Sequence, residues 1–280
     1  MPGATNKIGI MQGRLSPPRS GRIQSFPLGT WQEEFLAARD CGFELIDWIV
    51  EGDGFTDNPL MSDEGIREMT DLAEKTGVRI GAVCADYFMD YPLLRCGREE
   101  VKERVAVLLK IAGRMSQAGI PYMEVPFVDH SAIRTPTELE GLVEIFRGIL
   151  DAIAGFDVTL AFETSLPPQP FADFLTALNH QAAKANYDMG NSASLGYKPH
   201  EELNAYGRHI VTVHVKDRIL GGGTVPLGSG HTDFGACFSL LNELNYEGPF
   251  ILQAARGGDE IFWNKKNRAF VAHYLKRNSD

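Results

Sequence analysis

HIVTVHVKD (209–217) decides the fold. Its apolar residues are β-branched and fall on both parities, so the run does not alternate. A strand of that kind is covered on both faces, as in a parallel sheet. It ends in polar residues and leads, through the glycine-rich GGGTVPLGSG (221–230), to the amphipathic TDFGACFSLLNELN (232–245).

The same pairing recurs on either side. Upstream, KIGIMQ (7–12) precedes TWQEEFLAARDC (30–41), and FELIDWIV (43–50) precedes SDEGIREMTDLAEKTG (62–77). VRIGAVCAD (78–86) leads to a helix over 97–119, and IPYMEVPF (120–127) to one over 135–155. DVTLAFET (157–164) leads to PFADFLTALNH (170–180), and AKANYDMG (183–190) to KPHEELNAYG (198–207). GPFILQAAR (248–256) leads to a last helix near 259–276. Local chemistry supports the boundaries. Thr30 is placed as an N-cap with Glu33 as its capping-box partner, Ser62 caps the next helix, Gly77 and Gly119 stop theirs, and Pro136 sits in a first turn. Eight strand–helix units predict an α/β fold: a single (β/α)8 TIM barrel over 1–280, at about 35 residues per unit. QGRLSPPRSG lacks the G-x-G-x-x-G that a doubly wound sheet would carry after its first strand. A long loop at 13–29 follows the first strand, and loops of that length are usually functional or disordered.

Composition restricts the activity. The 280 residues carry 27 Lys+Arg against 37 Asp+Glu, a net charge of −10. That balance opposes binding to nucleic acid or to an anionic membrane surface. Cys41, Cys84, Cys96 and Cys237 form no C-x-x-C pair, so neither a thiolate metal site nor a disulfide framework is indicated. No leader pattern and no apolar run of membrane-spanning length is present, which reads as a cytoplasmic chain.

Barrel chemistry lies at the C-terminal ends of the strands. The polar residues there are Gln12, Arg14, Asp47, Glu51, Asp86, Glu124, Asp129, Glu163, Asp188, Asn191, His214, Lys216, Asp217, Gln253 and Arg256. Four fall on consecutive strands: Glu163, Asp188, His214 and Gln253. Two carboxylates, an imidazole and an amide oxygen suit Mn²⁺, Mg²⁺, Co²⁺ or Zn²⁺. Each taken singly has a plainer reading, a rim ion pair for the acids and a core histidine for His214. Together, buried like charges call for a cation. Arg14, Lys216, Arg218 and Arg256 are candidates for an anionic part of a substrate, and the amides of 221–230 for an anion cradle; rim salt bridges with Asp47, Asp86 or Asp217 are the competing reading of the cations. Trp31, Trp48, Phe88 and Trp263 read either as core or as a wall for a sugar ring.

IGIMQGRL, AFETS (161–165), NYDMGN (186–191), VTVHVKDR (211–218), LGSGHTDF (227–234) and GPFILQAAR together resemble the xylose-isomerase-like TIM-barrel superfamily. The resemblance covers the whole chain and rests on the order and spacing of short motifs. It implies a metal-dependent sugar or sugar-phosphate isomerase or epimerase, commonly dimeric, acting through an enediolate. It assigns metal binding to Glu163, Asp188, His214 and position 253, with Glu163 also the base. Two positions depart from the epimerase pattern. Gln253 stands where a second glutamate is expected, and Asn191 where a histidine is common. An amide does not act as a general base. Glu124 is therefore named as a replacement acid/base, with a salt bridge as its alternative reading. Asn191 joins Arg14, Lys216, Arg218 and Arg256 as substrate-binding residues. Dehydration of the same enediolate, or a sugar-binding barrel without catalysis, are the competing functions. A DNA-repair role is disfavoured: the chain has 7 histidines and only His214 ends a strand.

Overall fold

In the computed structural model residues 6–277 are described; residues 1–5, read above for a leader, lie outside them. The strands β1 (Ile8–Met11), β2 (Leu45–Ile49), β3 (Arg79–Cys84), β4 (Tyr122–Phe127), β5 (Thr159–Thr164), β6 (Ala183–Asp188) and β7 (Ile210–Val215) run in sequence around a barrel. A short antiparallel ribbon, β8 (Asp217–Arg218) with β9 (Thr224–Val225), follows β7. The last strand, β10 (Phe250–Leu252), then pairs in parallel with both β7 and β1 and closes the barrel. The helices are α1 (Trp31–Cys41), α2 (Asp63–Thr76), α3 (Tyr87–Asp90), α4 (Arg98–Ala118), α5 (Pro136–Ala152), α6 (Pro168–Leu178), α7 (Met189–Leu195), α8 (Pro199–Tyr206), α9 (Phe234–Glu243) and α10 (Glu260–Arg277). The eight-stranded parallel barrel is the TIM fold the alternation predicts. No described helix is long and apolar enough to cross a membrane.

Local signals set most boundaries as read. Ser62 Oγ accepts from Gly65 N at 3.0 Å, and Gly77 and Gly119 end α2 and α4 at φ 75° and 68°. Thr30 differs. Its ψ of 7° is not the extended geometry an N-cap needs, and its side chain caps nothing. Glu33 stays exposed, while the next residue, Glu34, is buried. Glu34 accepts from Gly13 N (2.9 Å) and Leu15 N (3.1 Å) and so anchors the 13–29 loop to α1. The two small helices α3 and α7, and the β8–β9 ribbon, have no periodicity long enough to be read in advance.

The aromatic wall does not form. Trp31, Trp48 and Phe88 are buried, and the Trp31 and Trp48 rings meet edge-on at 5.4 Å. Trp263 is half-buried beneath Lys266 Nζ. Trp31, Trp48 and Phe88 belong to the hydrophobic core, where aromatic burial contributes most.

Candidate active site

Register brings the polar residues together. Asp188 of β6 lies opposite His214 of β7, and His214 opposite Ile251 of β10, which puts Gln253 one layer higher. Glu163 of β5 lies opposite Pro126 of β4. Glu163, Asp188 and His214 each present a ligand atom, all within 4.8 Å of one another, and all three are buried. His214 Nδ1 is 3.8 Å from Glu163 Oε2 and 4.0 Å from Asp188 Oδ2.

The opposite edge of the imidazole faces a second acidic pair. Glu124 Oε2 is 2.9 Å from Nε2, and Asp47 Oδ2 is 3.7 Å away. Both carboxylates sit inside the barrel, Asp47 at 0% and Glu124 at 1% exposure. Asp47 is therefore no rim salt bridge. Burial, then the Glu124 charge, pushes its carboxyl up to about 7.

Hydrogen bonding sets the direction of each amide. Thr212 Oγ1 donates to Asn186 Oδ1 (3.0 Å), which turns the Asn186 NH₂ toward Glu163 Oε2 and His214 Nδ1, each at 3.2 Å. Nδ1 then accepts from the Asn186 amide while Nε2–H donates to Glu124. This is the tautomer a ligating histidine adopts, with its other nitrogen on a carboxylate. Asn191 is oriented likewise. Arg218 NH1 (2.8 Å) and Lys216 Nζ (3.4 Å) donate to its Oδ1, and its NH₂ donates to Glu163 Oε1 at 2.5 Å. Lys216 also meets Asp188 Oδ2 at 3.0 Å. The other oxygen of Asp188 caps α7, accepting from Gly190 N and Asn191 N.

Gln253 completes the set. Asp86 Oδ2 accepts from Gln24 Nε2 (2.8 Å), so Gln24 turns its Oε1 to the Gln253 NH₂, also at 2.8 Å. This leaves Gln253 Oε1 buried without a hydrogen-bond partner. An unpaired buried amide oxygen costs free energy unless something positive meets it. The electrostatics agree. Burial disfavours a charged His214, yet Glu124, Asp47 and Glu163 raise its pKa well above the ordinary value. Burial, then the Asp188 charge, pushes Glu163 up to about 7. Positive charge is favoured beside Nδ1, and the oxygen-rich donors with one imidazole fit a divalent ion.

A cavity of about 450 Å³ opens above these groups, lined among others by Glu163, Asn191, Lys216, Arg218, Gln253 and Asp86. A larger one, about 770 Å³, lies at the N-terminal end of the barrel and contains none of these ligand groups. Arg14 and Arg256 are engaged differently from Lys216 and Arg218. Arg256 donates to the carbonyls of Gly13 (2.6 Å), Ser16 (3.0 Å) and Ile23 (3.0 Å), clasping the 13–29 loop. Arg14 is 2% exposed and donates to Ile23 O. Burial, then Arg256, lowers its pKa to about 10. The glycine-rich 221–230 stretch is no open anion cradle either. The amides of Gly228, Gly230 and Thr232 donate to Asp217 at 2.9, 2.8 and 3.1 Å. A Cβ on Gly230 would lie 2.3 Å from Asp217 Oδ1, so only glycine closes this turn.

Sequence reasoning missed Asn186, Gln24 and Glu34 as site or loop-anchoring residues. Asn186 was detectable, since it precedes Asp188 by two on one strand face. Gln24 carries no local signal.

A model of the xylose isomerase-like TIM barrel matches residues 35–272. The chain belongs to that family. Among its curated relatives is L-ribulose-5-phosphate 3-epimerase UlaE of Salmonella paratyphi A, 27% identical over 249 residues, covering 82% of this chain and 84% of the relative. The fold matches the IOLI protein with a bound zinc atom at TM-score 0.77 and 13% identity, over 97% of this chain and 99% of that one. It matches L-ribulose 3-epimerase at TM-score 0.76 and 16% identity, over 98% and 95% of the two chains.

Proposed function

We propose that this chain is a divalent-metal-dependent sugar or sugar-phosphate epimerase or isomerase. The observation that carries the reading is the convergence of Glu163, Asp188 and His214 beneath one cavity, with the unpartnered Gln253 oxygen lining it. The 27% identity to a ketose-phosphate 3-epimerase supports a carbohydrate substrate.

These four residues would hold the ion. When bound, it polarises a substrate carbonyl and favours ionisation of the neighbouring C–H bond. Glu163 takes that proton. Asn186 and Asn191 hold its two oxygens in place. Lys216 and Arg218 line the cavity and supply positive charge for an oxyanion or a phosphate of the substrate. Glu124 lies beneath the imidazole, where it orients His214. Return of the proton to the same carbon from the other side epimerises; return to the adjacent carbon isomerises.

The sugar-binding alternative rests on Gln253, and one experiment separates the two. Protein stripped with chelator and reloaded with Mn²⁺ is incubated in D₂O with ketoses and ketose phosphates. An epimerase or isomerase incorporates deuterium into at least one recovered sugar, and only when metal is present. Binding without incorporation into any sugar would establish the non-catalytic barrel.

A further inference from the structure

Inverting a carbon by proton transfer needs a donor on the side away from the base. Gln253 carries no exchangeable acid of suitable pKa, and Glu124 is committed to His214 Nε2. The remaining carboxylates of the cavity wall are Glu51, Asp86, Asp90 and Asp129. Glu51 is held by Phe26 N at 2.9 Å and by Arg19 and Arg22. Asp90 and Asp129 are exposed at the outer rim. Asp86 is different. It is half-buried, it feels the charge of Arg14 without forming an ion pair among the described residues, and its partners are the Gln24 amide and the Cys84 thiol at 3.3 Å.

Asp86 and Glu163 line the same cavity. Cys84 lies opposite Glu124, Glu124 opposite Ala161, and Pro126 opposite Glu163. Beyond Cys84 the ladder ends, and Asp86 is helical, at φ −58° and ψ −15°, at the start of α3. β3 and β5 are alternate strands of the barrel. Two strand spacings separate them by roughly 10 Å of wall, room for a sugar carbon between two carboxyls.

We propose that Asp86 is the second proton-transfer group of this site, working across the cavity from Glu163. The inference rests on the enediolate reading above. Glu163 takes the proton from the carbon beside the carbonyl; the C–H pair becomes the C=C bond, and the carbonyl π pair moves onto oxygen. Asp86 delivers its proton to the same carbon from its own side. The C=C pair forms the new C–H bond, and C=O is restored. Glu163 ends protonated and Asp86 ionised, and exchange with water resets both. Burial raises the Asp86 carboxyl above its ordinary range, which keeps an acid available. Gln24 joins Asp86 to Gln253 by hydrogen bonds. A carboxyl is thus supplied here from the turn between β3 and α3, and Gln24 of the 13–29 loop ties it to Gln253.

The test uses Mn²⁺-loaded protein in D₂O with a sugar that the wild type converts. Asp86→Asn should lose net conversion about 100-fold or more yet still exchange deuterium into recovered substrate, because Glu163 works alone from its side. Asp86→Glu, and formate added to Asp86→Ala, should restore part of the conversion. Glu163→Gln should lose both readouts. Undiminished conversion by Asp86→Asn overturns the inference while leaving the proposed function intact. So does a folded Asp86→Asn of normal Mn²⁺ affinity that loses conversion and exchange together. Should Asp86→Asn not fold, the formate result on Asp86→Ala decides, and no rescue counts against Asp86. If the wild type itself exchanges no sugar, the proposed function fails first, and this inference with it.

Discussion

Glu124→Gln tests how the metal centre is built. Glutamine keeps the shape and still accepts from His214 Nε2–H, so the change removes mainly the negative charge. In the native protein that contact is 2.9 Å long, between groups 0% and 1% exposed. A hydrogen bond to a charged group contributes about 1.5–3 kcal/mol. At 1.4 kcal/mol per decade this is roughly a 10- to 150-fold effect. Carboxylates behind ligating histidines affect metal affinity by about 10–100-fold. The variant should therefore bind Mn²⁺ about 10–100-fold more weakly. Saturating metal should restore most of its activity, because Glu124 acts through the imidazole. Calorimetric titration of chelator-stripped protein measures the first, and turnover against Mn²⁺ concentration the second. Unchanged affinity with turnover lost at saturating metal would refute this reasoning. It would mean that Glu124 acts on the substrate directly.

Two further outcomes follow from buried groups. His214→Ala removes the imidazole between Asp47, Glu124, Glu163 and Asp188. It should cost about 3–5 kcal/mol in urea unfolding and abolish stoichiometric metal; wild-type stability with full metal content would contradict both roles. Glu202, between Ser192, Tyr206 and Tyr187, is pushed by burial up to about 7 from an ordinary 4.5. A raised folded pKa stabilises fully below about pH 4.5, and that contribution is lost as pH rises through about 7. The loss is about 3 kcal/mol over that window. Glu202→Gln should show a smaller fall in stability between pH 5 and 8 than the wild type, and equal slopes would show that Glu202 does not titrate there.

What the sequence by itself determined is periodic or local. Continuous β-branched runs such as HIVTVHVKD specify strands covered on both faces, Ser62 and Gly77 bound a helix, and eight repeats leave a closed barrel as the natural arrangement. The triad was also legible, because a strand end in this fold has one direction: Glu163, Asp188 and His214 end neighbouring strands. What only the tertiary structure decided is partnership between residues distant in the chain. Arg256 has the same local look as Lys216 and Arg218, yet it clasps a loop while they reach the cavity. Glu124 lies within β4, three residues short of its end, and meets the far edge of the imidazole near Asp47. The amide of Gln253 acquires a free oxygen only because Gln24, from a loop without periodicity, is oriented by Asp86. Periodicity follows from backbone geometry and is written residue by residue. Hydrogen-bond direction and desolvation depend on which groups meet once the barrel has closed.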